Sequence, residues 1–273
     1  HFGALGKTIP CQRLTGDASR EGEGVSMPTS RDVPLIDISP FVDEDRYDEP
    51  ARAAVAKSWD AAMSTVGFAI ICGHGVSSTT VESLLEGAKA FFAQSESAKL
   101  AFNFGPLGNP HGGYTALSKQ SIGSTRSAHG TDGGGDASRA RAALPDLVES
   151  YKFRPDSPKE KPASLEAPCA AYRGEMLRVL TCLHRLTAAA LGLPRDFFDA
   201  YYSPCAQTDM KISHYPPLPQ EAHDSGAMRF GEHTDFTGYT LLLQDASDVG
   251  DLEAGGLQVR LPSGEWHAVA PVA

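Results

Sequence analysis

The chain changes character near residue 206, and that change constrains its fold more than any other feature. Up to that point apolar residues recur at helical spacing. Val55, Trp59, Ala62, Met63 and Val66 mark one helical face between Ala51 and Val66, and Val81, Leu84, Leu85, Ala88 and Phe91 mark a second, capped by Ser77 or Ser78. The longest stripe, Tyr172, Met176, Val179, Leu180, Leu183 and Ala190, predicts a helix from about Pro168 to Leu191, stopped by Gly192 and Pro194. After a short helix near Phe197 the chain reads as brief strands: "TDMKISHYP", "YTLLLQD", "GGLQVRL" and "EWHAVA", parted by Gly, Pro and Asp turns. Helices first and strands afterwards predict a helical shell leading into an antiparallel barrel or jelly roll.

A few extended segments interrupt the helical part. "VPLIDIS" (Val33 to Ser39) is a short strand, and "FAIICGHG" a buried strand closed by a Gly-His-Gly turn. "DLVESYKF" (Asp146 to Phe153) reads as an extended return. Gly105 to Asp136 is loop-like, and Gly133 to Gly135 lack the G-x-G-x-x-G pattern of a phosphate cradle. No internal repeat is visible.

Charge and composition narrow the partners. The formal net charge is −10 with no long run of Lys or Arg, which argues against duplex nucleic acid or an anionic membrane surface. No stretch approaches the roughly 20 apolar residues of a membrane span. The five cysteines (Cys11, Cys72, Cys169, Cys182, Cys205) are scattered without a C-x-x-C pair, as expected of free thiols in a reducing, cytoplasmic setting. Residues 1–30 read as a disordered leader, an artificial remnant or the end of a targeting segment, with Met27 open as a native start.

The chemistry-bearing stretch is "RFGEHTDFTGYTLLLQD", Arg229 to Asp245. His233 and Asp235 are two residues apart, so in an extended chain they share one face and can grip one metal ion. Composition alone yields roughly 0.4 such tripeptides by accident. Gly231 before and Gly238 after let the backbone turn closely around the pair, and "YTLLL" supplies a strand beneath it. An imidazole and a carboxylate completed by a second imidazole form the facial triad of non-haem Fe(II) oxygenases, which leaves three positions open. The other candidates read more plainly. His267 is a partly exposed strand residue, His74 and His111 are turn and loop residues, and His214 is a packed histidine. Arg229 and Arg260 are surface cations, and Cys72 is a small buried residue. A metal hydrolase would need a general base, and Glu232 points to the face opposite His233.

The ordered segments "VPLIDIS", "GFAIICGHGV", "GGYT", "DLVESYKF", "ISHYPP", "HTDFTGYTLLLQD", "GGLQV" and "GEWHAVAPV" together resemble the isopenicillin N synthase-like family of 2-oxoglutarate/Fe(II)-dependent oxygenases, from Val33 to Ala273. The resemblance implies an α+β, mainly β fold: a double-stranded β-helix (jelly roll) behind an N-terminal helical region. Residues 31–155 would form that region, 156–205 a long helix and connector, and 206–273 the first part of the jelly roll. It implies Fe(II), 2-oxoglutarate as co-substrate, dioxygen, and a small organic substrate that is hydroxylated, desaturated or ring-closed. One branch member uses no 2-oxoglutarate and another uses ascorbate instead, and both variants stay open. His233 and Asp235 match the first two iron ligands. Tyr215, in "HYPP", matches a tyrosine lining the co-substrate pocket, and Ser213 stands where relatives often have Asn.

The family's second histidine, and an Arg-x-Ser pair whose guanidinium forks onto the far carboxylate of 2-oxoglutarate, lie further along than the 38 residues that follow Asp235. The expectation is therefore a jelly roll that stops before its last strands. The alternative function is a truncated, non-catalytic member lacking the third iron ligand.

Overall fold

The structure is a computed structural model that describes residues 33–106, 109–120, 145–202, 208–217, 228–235, 238–245 and 256–271. The leader, Cys11, Cys205, Met27 and the Gly133 to Gly135 cluster lie outside the described residues. The chain divides into two units, interleaved in sequence. One holds the described residues of Glu82–Arg173 and Thr208–Leu242, and the other those of 4–81, Gly174–Gln207 and Leu243–Ala273.

The second unit begins with β1 (Leu35–Asp37), followed at once by the short helix α1 (Ser39–Val42). α2 (Glu49–Thr65) starts where the Asp48 carboxylate accepts from the Ala51 N–H at 3.0 Å, with Pro50 in its first turn. Its buried face is Ala56, Trp59 and Ala62, while Val55, Met63 and Val66 are half-buried. Trp59 carries a polar indole inward and satisfies it by donating to Thr187 Oγ1 at 3.0 Å. β2 (Ile70–Cys72) pairs with β1 in parallel, and its residues are half-buried rather than buried. A hairpin of β6 (Gln258–Arg260) and β7 (Trp266–Ala268) contributes Val259 and Val269 to an apolar cluster with Val33 and Ile70.

Helix α5 (Ala163–Ala190) begins five residues earlier than the sequence predicts and carries Pro168 inside it. Proline lacks an N–H, so the Ser164 carbonyl four residues back loses its helical donor. Gly87 approaches that carbonyl so closely that an added Cβ would lie 2.2 Å from the Ser164 oxygen. The helix ends as predicted. Gly192 is left-handed (φ 65°), and the Leu193 N–H returns to the Ala188 carbonyl at 2.8 Å. The segment around Phe197 forms hydrogen-bonded turns rather than the expected short helix.

The first unit is built on a three-stranded antiparallel sheet, β3 (Gly113–Thr115), β4 (Glu149–Phe153) and β5 (Met210–His214), in the order β3-β4-β5. Register pairs Tyr114 with Tyr151 and Tyr151 with Ile212, so these residues share one face. That face meets α3 (Ser78–Phe92), whose fully buried Phe91 packs edge-on to Phe92, Phe102, Tyr114 and Tyr151 at 5.1–6.0 Å. Burying one such phenyl contributes about 1.5–3 kcal/mol.

A charged cluster is embedded in the same face. Glu149 accepts from Lys99 Nζ at 2.7 Å and His214 Nδ1 at 2.8 Å, and from the Tyr114 hydroxyl. Lys99 lies on the short helix α4 (Glu96–Leu100), and the His214 ring stacks on Phe92 at 4.9 Å. Burial alone would raise the Glu149 carboxyl, but these hydrogen bonds outweigh it and hold it below the ordinary carboxylate value.

The opposite face of the sheet carries Ser150, Lys152, Lys211 and Ser213, in register as Ser150–Ser213 and Lys152–Lys211. Among the described residues the strands form three small sheets, one parallel and two antiparallel, and no closed barrel. Within "YTLLLQD" only Leu241 and Leu242 make β-bridges.

Candidate metal site

Alternation along β5 places Lys211 and Ser213 on the face opposite the aromatic core, and Tyr215 follows in the same phase. Tyr215 is 43% exposed, yet its hydroxyl is crowded by protein. That desolvation raises its pKa, with the Ser213 side chain and Arg229 pulling the other way. Lys211 donates to Gln120 Oε1 at 2.8 Å and sits 5.0 Å from the centre of the Phe230 ring. Burial pushes its ammonium down to about 8, partly offset by Asp146.

The segment bearing His233 is tied to this face at several points. The Leu147 N–H donates to the Met228 carbonyl at 2.9 Å, and Arg229 donates to the Pro216 carbonyl at 2.7 Å. The Gly231 N–H donates to the Asp146 carboxylate at 3.0 Å. The Phe230 and His233 rings meet edge-to-face at 5.3 Å. Arg229, expected at the surface, is half-buried and engaged by the Pro216 carbonyl.

His233 Nδ1 lies 2.9 Å from the Gly231 carbonyl oxygen. A carbonyl can only accept, so Nδ1 carries the proton and Nε2 presents its lone pair. Nε2 faces Asp235 Oδ1 at 3.5 Å, too long for a hydrogen bond. Two ligand atoms at right angles on one ion, with bonds of about 2.1 Å, lie roughly 3 Å apart. The pair therefore fits a divalent cation: one neutral imidazole nitrogen and one carboxylate oxygen, oriented by a backbone acceptor behind the ring. Among the described residues no cluster of three His, Cys, Asp or Glu side chains is assembled.

The remaining sequence candidates have other settings. His74 is buried and its Nδ1 accepts from the Val76 N–H at 3.0 Å. Desolvation, with Arg178 nearby, lowers its pKa to about 4. His214 is the packed residue already described. His267 lies opposite Val259 in the hairpin, 3.9 Å from Glu265. The backbone of His111 is held by Asn109 at 2.8 Å. Arg260 lies along a turn, donating to the Gly264 carbonyl at 3.4 Å.

Residues 33–172, more than half of the chain, match the family described as the non-haem dioxygenase in morphine synthesis N-terminal region, and residues 200–273 match the 2OG-Fe(II) oxygenase superfamily. The chain belongs to the 2-oxoglutarate/Fe(II)-dependent oxygenases. Fe(II) and 2-oxoglutarate are the family's metal and co-substrate. This oxygenase is 27% identical over 272 residues to a 2-oxoglutarate-dependent dioxygenase (citB) of Monascus ruber, covering 90% of the chain and 73% of the relative. It is 28% identical to a proline hydroxylase (buaE) of Petromyces alliaceus, covering 81% of the chain and 66% of the relative. Among solved structures it resembles a full-length Neurospora crassa protein crystallised in complex with alpha-KG (TM-score 0.67, 25% identity, 88% of this chain and 70% of that one). Another structure of that Neurospora protein holds thymine as well. No helix among the described residues is long and apolar enough to cross a membrane.

Two neighbours of the His233 segment are not apparent from the sequence. Asp146 was visible only as the first residue of an extended segment, and Lys211 only as a polar position in a strand. The alternation of Lys211, Ser213 and Tyr215 was the available signal for the second. The link from Asp146 to Gly231 spans 85 residues and left no local trace.

Proposed function

We propose that this chain carries out Fe(II)- and 2-oxoglutarate-dependent oxidation of a small organic molecule, with His233 and Asp235 as metal ligands and Tyr215 shaping the co-substrate pocket. The observation that carries the reading is the 3.5 Å gap between His233 Nε2 and Asp235 Oδ1, with Nδ1 turned back onto a carbonyl. Bound there, Fe(II) would supply dioxygen activation coupled to decarboxylation of 2-oxoglutarate. The protein's own contribution is placement. Ser213 and Tyr215 offer two hydroxyls, and Lys211 an ammonium, on the face beside the His233 segment, groups suited to a polar or anionic small molecule. Holding the reacting C–H bond close and excluding water would decide the product. Hydroxylation is the default, as in the relative named a proline hydroxylase, with desaturation or ring closure open to the same site. Relatives named as dioxygenases and a hydroxylase support an enzyme over a non-catalytic scaffold. The buried, unpaired thiols of Cys169 and Cys182 suit a reducing, cytoplasmic compartment.

The test is Fe(II)-dependent succinate release from 2-oxoglutarate by the full-length protein across a panel of small substrates. His233→Ala and Asp235→Ala should each abolish it while remaining folded. Release that survives either substitution would overturn the assignment of ligands.

A further inference from the structure

We propose that Asp146 is a positioning residue for the metal site, fixing the His233 imidazole through the Gly231 peptide. The inference rests on the reading of His233 as a metal ligand and extends it to a side chain 87 residues earlier in sequence.

Gly231 is the joint. Its N–H belongs to the peptide plane shared with Phe230, and its carbonyl to the plane shared with Glu232. With no side chain, its two backbone dihedrals are less restricted than those of any other residue. Holding the preceding peptide plane from outside restricts the direction of the carbonyl that receives His233 Nδ1 at 2.9 Å. Asp146 supplies that hold, as its carboxylate accepts the Gly231 N–H at 3.0 Å and its residue is only 3% exposed. The acceptor is itself anchored on both sides in sequence. The Asp146 N–H donates to the Gln120 carbonyl at 2.8 Å, and the next N–H, of Leu147, donates to the Met228 carbonyl at 2.9 Å. Gln120 in turn receives Lys211 Nζ at 2.8 Å. A continuous run of hydrogen bonds thus leads from β5 through Gln120, Asp146 and Gly231 to the imidazole whose Nε2 faces Asp235.

The role is geometric, so it needs an acceptor at Oδ1 and not a charge. Asp146→Asn keeps a side-chain oxygen for the Gly231 N–H, Asp146→Ala removes it, and Asp146→Glu displaces it by one methylene. The readout is the Kd for Mn(II), with 2-oxoglutarate present, from the paramagnetic resonance signal of free Mn(II), measured on full-length protein. His233→Ala serves as the reference. Loss of a direct outer partner of a metal-bound histidine typically costs about 10–100-fold in affinity, and Asp146 acts one hydrogen bond beyond that partner, so the lower end applies. Asp146→Ala should therefore bind Mn(II) about 10-fold more weakly than wild type. Asp146→Asn should stay within about threefold and Asp146→Glu should fall between. Equal affinity in wild type and Asp146→Ala, or an Asn variant as weak as the Ala variant, would overturn the proposal. If the Ala variant does not fold, the Glu variant decides: unchanged affinity overturns the proposal, and weakening with Asn intact supports it. If His233→Ala binds Mn(II) as wild type does, the ligand reading has failed and this inference with it. If His233→Ala is weak while Asp146→Ala is unaffected, only this inference fails.

Discussion

Lys99→Met tests the buried charge cluster that supports the site-bearing strand. The Lys99 and Glu149 side chains are 10% and 6% exposed, and their 2.7 Å contact is one of three hydrogen bonds converging on the Glu149 carboxylate. Removing one partner of a buried pair typically costs 3–5 kcal/mol, because the remaining charge is left desolvated. Tyr114 and His214 still donate to Glu149 in the variant, so the lower end applies, about 3 kcal/mol. The pH dependence follows from the sign of the shift. In the wild type the Glu149 pKa is depressed, so its contribution is present above the ordinary carboxylate value and is lost as pH falls through the folded value. Without Lys99, burial dominates and the carboxyl can escape its charge by taking a proton. The penalty of Lys99→Met should therefore shrink between about pH 7 and pH 4. Lys99→Met/Glu149→Gln removes both charges and should recover at least about 1 kcal/mol relative to Lys99→Met. Guanidinium unfolding at several pH values measures all three effects. A Lys99→Met loss below about 1 kcal/mol at neutral pH, or one that does not change with pH, would refute the reasoning.

Three further outcomes are expected. Gly87→Ala would place a methyl against the Ser164 backbone oxygen and should cost about 1–3 kcal/mol, seen as a lower thermal midpoint; an unchanged midpoint would contradict the close approach. Phe91→Ala removes a ring with four aromatic neighbours and should cost about 3–5 kcal/mol in denaturant unfolding, so a loss near 1 kcal/mol would show that the pocket collapses freely. His74 is held neutral down to about pH 4, so its contribution is present above its ordinary value near 6.5 and is lost as pH falls toward 4, amounting to about 3 kcal/mol. His74→Gln should flatten that part of the stability profile, and profiles of equal slope would count against the assignment.

The parts of this protein legible in its sequence are those governed by local periodicity. The helices around Trp59, Leu84 and Val179 and the strands "MKISH", "QVR" and "WHA" follow the expected patterns. His233 and Asp235 stand out in the sequence by their spacing of two, and in the fold their Nε2 and Oδ1 atoms lie 3.5 Å apart. Where the sequence misled, a distant partner had changed the outcome. The apolar stripe placed the helix start at about Pro168, yet α5 begins at Ala163 and runs through that proline, with Gly87 close against the carbonyl it leaves without a donor. β2 looked buried from its composition, but its residues are half-buried. Asp146 carried no local mark because its role depends on a backbone N–H in another segment.

The most direct test of the central claim is anaerobic absorption spectroscopy of the full-length protein with Fe(II) and 2-oxoglutarate. Chelation of 2-oxoglutarate by protein-bound Fe(II) gives a visible charge-transfer band that neither component shows alone. The account predicts that band in the wild type and its loss in folded His233→Ala and Asp235→Ala. A wild type without the band, or variants that keep it at full intensity, would contradict the assignment of His233 and Asp235 as the metal site.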